Sequence, residues 1–175
     1  MKKAIKRAAL FTVTAAMLIC LCACGKCAWE VKIDGKEIDI PCTLEDLGDG
    51  YDYTFDYPFS GNSNGKGIFS VALMQGDDII GTVKVEADSK DKIDRKSKIR
   101  QLSVAKSVSD KDEMSIAGVK CGDDKAAVKE KFGEPDNSDA SAWKYKKRGF
   151  AATFFFDEEN KVTMLSISDI DDEDT

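Results

Sequence analysis

Residues 51–57 read Tyr-Asp-Tyr-Thr-Phe-Asp-Tyr, with every second side chain aromatic and each one between polar. A period of two belongs to a strand with one buried and one wet face, because successive side chains leave a pleated backbone on opposite sides. The same period recurs along the chain. Trp29, Val31 and Ile33 alternate with polar neighbours, Asp34-Gly35 follows as a hairpin signal, and Ile38 and Ile40 resume the alternation. Further strand patterns lie at residues 68–74 and 79–86, joined through Gln75-Gly76-Asp77-Asp78, then at 99–104, 114–119, 142–146, 150–156 and 162–168. Short strands joined by tight turns predict an antiparallel sheet.

Two helical patterns interrupt the strands. Thr43 caps a short one over residues 44–47, with Asp46 completing a loose capping box and Gly48 ending it. The stretch CGDDKAAVKEKFGEPD, residues 121–136, has Asp123 as a cap and Asp124 in the first turn. Val128 and Phe132 share one face, Gly133 is the stop, and Pro135 lies just beyond. The fold class that follows is α+β, an antiparallel sheet with short helices packed on one face.

The order of elements repeats. Each half offers a cysteine, a helix, a glycine, an aromatic strand, a second strand, an acidic turn and a third strand, which predicts a tandem ββαβββ-like repeat. The first unit is placed at residues 28–87 and the second at 99–168, with the charged segment 88–98 as the connector between them. Residues 60–67 and 106–113 read as polar loops. Residues 169–175 hold five acids in seven positions. They lack the glycine turn and distal glutamate of an EF-hand loop, so they read as an acidic tail with no metal site.

Composition narrows the chemistry. There is no histidine, which removes His-dependent triads, His-ligated zinc and a His general base. Residues 1–7 carry Lys2, Lys3, Lys6 and Arg7 without an acid, and residues 8–23 are apolar apart from Thr12 and Thr14. This is the pattern of a signal peptide. Its apolar run is shorter than the ~20 residues of a spanning helix. Taking the leader's four basic residues from the chain's 26 leaves 22 against 32 acidic, a net charge of −10. Nucleic acid would be repelled by it.

The leader ends in Leu21-Cys22-Ala23-Cys24-Gly25, which resembles the bacterial lipobox. That resemblance implies cleavage after residue 23, a diacylglycerol thioether on Cys24, residues 24–27 as a tether, and a place on the outer face of the cell membrane. Cys24-Gly25-Lys26-Cys27 has the spacing of a thiol redox motif, but a thiol held in a thioether neither attacks a disulfide nor ligates zinc.

In the second half, GDDKAAVKEKFGEPD followed by WKY and then FFFDEENKV resembles the outer-membrane lipoprotein domain SmpA/OmlA (BamE) and the related β-lactamase-inhibitor proteins, over residues 119–168. The resemblance implies a helix on one face of an antiparallel sheet and a role in binding proteins without catalysis or cofactors. Cys42 and Cys121 stand at matching places before the two helices and form a candidate disulfide. It would close a loop of about 80 residues for roughly 4 kcal/mol; two buried free thiols are the alternative.

The leading expectation is a membrane-anchored, non-enzymatic protein-binding or scaffolding lipoprotein. Its candidate binding face is Tyr51, Tyr53, Tyr57 and Trp143. The aromatic stripe with Phe55 reads first as the buried side of a strand, and otherwise as a stacking platform for a small-ligand sensor. A small cell-wall hydrolase working through Asp52, Asp56, Asp77 or Asp78 is the other alternative.

Overall fold

The computed structural model describes residues 26–56, 61–62, 67–106 and 114–169. The leader, Cys24 and Tyr57 lie outside the described residues, as do positions 170–175 of the acidic tail. Within the described residues the chain is mostly antiparallel sheet with two short helices.

The first hairpin pairs β1 (Val31–Ile33) with β2 (Lys36–Ile38). Asp34 and Gly35 both take positive φ, 50° and 75°, as a two-residue type I′ turn requires. Helix α1 (Leu44–Leu47) follows, with the expected reciprocal cap between Thr43 and Asp46, and it buries Leu44 and Leu47. Strands β3 (Tyr51–Thr54), β4 (Gly61–Asn62), β5 (Ile68–Gln75) and β6 (Asp78–Glu86) come next. β7 (Lys98–Ala105) completes this run.

The second hairpin is β8 (Met114–Ile116) with β9 (Val119–Lys120). Its turn, Ala117-Gly118, has the same double positive φ, 50° and 82°, so residues 114–119 are a hairpin and not the single strand their sequence predicts. Helix α2 (Lys125–Phe132) follows, then β10 (Asn137–Ser138), β11 (Ala142–Lys147), β12 (Phe150–Phe156) and β13 (Val162–Ser168). The N-cap of α2 is Asp124, one residue later than expected. The Asp123 carboxylate instead accepts the Lys120 N–H at 2.9 Å, and Asp124 pairs with Lys161 at 2.7 Å.

Among the described residues there are two sheets. The small one runs β2-β1-β8-β9, and the large one runs β10-β11-β12-β13-β7-β6-β5-β3 with β4 beside β5. From either edge inward, the large sheet presents a short strand and then a three-strand meander. The two meanders meet where β7 and β13 pair antiparallel, Ser103 opposite Ser166. A bulge sits at the same point in each, Val85 opposite Ile99 and Phe156 opposite Val162.

Residues 88–98 are the segment expected as a charged connector. That segment joins neighbouring antiparallel strands β6 and β7, and Arg95 within it donates to the carbonyls of Tyr51 and Gly48 at 2.6 and 3.0 Å. Alternating charge marks a solvated segment, which a link inside one meander satisfies as well as a linker between halves does.

Register decides which face is buried. Tyr53, Leu73, Gly81, Val104, Leu165, Phe154 and Trp143 stand in one row across the sheet, and Val71, Val83, Leu102, Ile167, Ala152 and Tyr145 in the next. Both rows contribute to a single apolar cluster that also takes Leu44, Leu47, Val128, Val31, Ile33, Met114 and Ile116. Both helices and the small sheet therefore cover the same face of the large sheet. The opposite face carries no layer among the described residues.

Candidate functional site

The expected aromatic binding face lies on the covered side. Tyr51 is buried, and its hydroxyl donates to Asp34 in the first hairpin turn, where Gln75 Nε2 also donates at 2.7 Å. Tyr53 and Phe55 are half-buried against the core cluster. Trp143 packs edge-on to Phe156 at 5.3 Å, with Lys125 Nζ 4.6 Å above its ring. Pairing β3 with β5 sends these odd-numbered side chains toward α1 and not outward, so Tyr51, Tyr53 and Trp143 are packing residues and not an exposed platform.

Tyr53 supplies a test of this placement. Its hydroxyl is buried with no hydrogen-bond partner among the described residues, and burial, then the nearby Cys42, raises the phenol above its ordinary pKa. An unanswered buried hydroxyl is a net cost. Tyr53→Phe is therefore expected to stabilise the fold by about 1 kcal/mol in urea denaturation. A loss of stability would assign that hydroxyl a structural partner.

The structure does not bring Cys42 and Cys121 together. Both are free thiols. Cys42 exchanges backbone hydrogen bonds with Ile99 at the start of β7, while Gly122 N–H donates to the Val162 carbonyl at the start of β13. Because β7 and β13 run antiparallel, these points are at opposite ends of the sheet, roughly 25 Å apart at the strand rise. A disulfide needs Cα atoms within about 7 Å. Burial pushes the Cys42 thiol up to about 12 and the Cys121 thiol up to about 11, so neither is an activated nucleophile. The residue matching Cys42 in position before α2 is Asp123, whose carbonyl accepts the Val162 N–H.

The acids named as hydrolytic candidates lie at the surface. Asp52, Asp56, Asp77 and Asp78 are exposed, Asp77 and Asp78 lie at the β5–β6 turn, and Asp52 accepts the N–H of Tyr53 at 2.8 Å. None of the four lines either depression described below.

What sequence reasoning missed is the uncovered face of the large sheet. Thr82, Ser103, Ser166, Thr153 and Lys144 form one row across it, and Lys84, Gln101, Ser168, Ala151 and Lys146 the next. Together with Phe155 and Met164, these rows apart from Ala151 and Lys146 line a depression of about 310 Å³. At its floor Ser103 and Ser166 are only 4% and 7% exposed. Ser103 Oγ donates to Ser166 Oγ at 2.8 Å, and Gln101 Nε2 reaches both, at 3.1 and 3.2 Å. A larger depression, about 490 Å³, lies at the end of β5 and β6 between Gly67, Glu86, Asp88 and Lys92.

The chain matches no family model, no curated protein and no solved structure. The functional reading therefore rests on the residues themselves. Among the described residues no group of three or more Cys, Asp or Glu side chains is placed to hold a metal ion, and no helix is long and apolar enough to cross a membrane.

Proposed function

We propose that the chain is a lipid-anchored extracytoplasmic lipoprotein whose folded part is a non-enzymatic protein-binding or scaffolding domain, and that its partner docks on the uncovered face of the large sheet. The observation that carries this is the segregation of the two faces. The helices and the small sheet cover one of them, while the other presents a concave, hydroxyl-lined surface over five strands. A sheet with one solvated face is a ready docking surface. The resemblance of residues 119–168 to the SmpA/OmlA (BamE) domain supports the same reading, since members of that family bind proteins.

The finer reading is an internal duplication. The proposed unit is ββαββββ, residues 31–105 and 114–168, one strand longer than the sequence comparison suggested. In support, Lys98-Ile99-Arg100-Gln101-Leu102-Ser103-Val104 aligns with Lys161-Val162-Thr163-Met164-Leu165-Ser166-Ile167, the same bulge falls at the second residue of both stretches, and both hairpins use the same turn. Like meets like where Ser103 faces Ser166, as a two-fold axis through that point would require.

Two measurements test the proposal. Cys24→Ser should move the protein from the membrane fraction to the soluble extracytoplasmic fraction, because the thioether needs the sulfur. A photo-crosslinking side chain at Thr82, on the uncovered face, should give a discrete protein adduct in intact cells, whereas one at Glu130 on exposed α2 should not. Equal adducts from both positions would remove the docking assignment, and unchanged membrane association of C24S would remove the anchor.

A further inference from the structure

The floor of the hydroxyl-lined depression holds a donor and an acceptor that its own hydrogen bonds do not use. Gln101 Nε2 has two protons and spends them on Ser103 Oγ and Ser166 Oγ, at 3.1 and 3.2 Å. The serines share a third bond, Ser103 Oγ donating to Ser166 Oγ at 2.8 Å. Two hydroxyls bring two protons, and only one lies between the oxygens. The other, on Ser166, and the lone pairs of Gln101 Oε1 have no partner among the described residues. Reversing the Ser103–Ser166 bond moves the spare proton to Ser103 and changes nothing else. The serines are 4% and 7% exposed, so that proton is reached only through the depression, and an unanswered buried polar group is a cost that a ligand removes. Thr82 and Thr153 continue the row on either side, and Phe155 and Met164 form a half-buried apolar shelf beside it. Lys84 and Lys144 also line the depression, but each already makes an interaction, so an ionic group is not what the site lacks.

We infer that this floor takes a primary carboxamide, the side chain of an asparagine or glutamine on the docking protein. The carboxamide oxygen accepts the spare serine proton, the N–H on the same edge donates to Gln101 Oε1, and the methylene stem rests on Phe155 and Met164. The inference rests on the docking reading above and adds the chemistry of the partner's contact. The shape of the group selects it. In a primary amide the oxygen and one N–H share an edge, whereas in a trans peptide bond they point to opposite sides, so a backbone amide meets one of the two floor groups and not both. A carboxylate is acceptor-only and would set an oxygen against Gln101 Oε1. An alkyl side chain would leave both floor groups unanswered. A depression of about 310 Å³ admits a side chain of this size.

The experiment follows NMR shifts of the detergent-solubilised full chain during titration with acetyl-Leu-Gln-Leu N-methylamide, whose one primary carboxamide is the glutamine side chain. The Gln101 side-chain amide and the Ser103 and Ser166 backbone amides are expected to shift together. The Leu-Met-Leu and Leu-Glu-Leu analogues should bind about tenfold more weakly. The glutamine peptide should lose about as much on Gln101→Glu, which removes the Nε2 donors and turns both serine protons inward. K129Q/K131Q on α2 should change its affinity less than about twofold. If Gln101→Glu does not keep the parent's thermal midpoint, Gln101→Met replaces it with the same expectation. Absence of binding, or equal affinity for the glutamine and methionine peptides, overturns the inference. Free glutamine binding as tightly as the peptide also overturns it, by assigning the floor to a small solute. A Thr82 adduct that persists in Gln101→Glu leaves docking in place and removes only the carboxamide.

Discussion

Replacing Phe154 with alanine is expected to lower the unfolding free energy by about 4 kcal/mol. Phe154 is fully buried and sits at the centre of an aromatic group that ties three layers together. Phe132 of α2 meets its ring edge-on at 4.8 Å, and Tyr145 of β11 stands 6.0 Å away. Phe132 in turn touches Tyr145 at 5.0 Å and Trp29, just before β1, at 5.6 Å. Removing Phe154 leaves a void beneath α2, and an eight-residue helix has too little intrinsic stability to hold its place without that contact. The measurement is urea denaturation, read as a lower midpoint with an unchanged slope. Phe154→Leu should cost about 1.5 kcal/mol or less, because most of the volume is kept. A loss below about 1 kcal/mol for the alanine variant would mean that α2 does not depend on this cluster.

Gly81→Ala should be nearly as damaging, at about 3 kcal/mol, the upper end of the usual cost of overpacking. A Cβ at this position would lie 2.0 Å from the Ser103 carbonyl oxygen and 3.0 Å from Val104 Cα. Both atoms are backbone of the neighbouring strand β7, so no flexible side chain can swing aside. Relief requires β6 and β7 to separate inside the first meander. Gly50→Ala is the control, since nothing lies within 4 Å of a Cβ there, and it should fall within about 0.5 kcal/mol of the parent. Equal midpoints for the two variants would show that β6 and β7 are less closely held than these distances imply.

Local features were legible in the sequence, and non-local ones were not. The Thr43–Asp46 cap, the Asp34-Gly35 turn and the strands over β5, β6, β11, β12 and β13 follow from period and turn chemistry within a few residues. The second hairpin was hidden because Ala117 occupies a positive-φ position usually filled by Asn, Asp or Gly. Residues 99–104 read as a strand, but nothing local said that β7 would stand at the centre of the sheet. The proposed repeat was compared through its helices and aromatic strands, while the Lys-x-x-x-Leu-Ser pattern shared by residues 98–103 and 161–166 went unused. The hydroxyl-lined depression was out of reach for the same reason. Thr82, Ser103, Thr153 and Ser166 are isolated hydroxyls in sequence and become one row only through the pairing of four strands.

Cys27 and Trp29 rest against the apolar cluster on the side of the helices and the small sheet. On the proposed lipid anchor at Cys24, the leash between bilayer and folded body would be three residues, about 10 Å at full stretch. So short a leash would set the helical layer toward the lipid headgroups and turn the hydroxyl-lined hollow outward, away from the membrane surface.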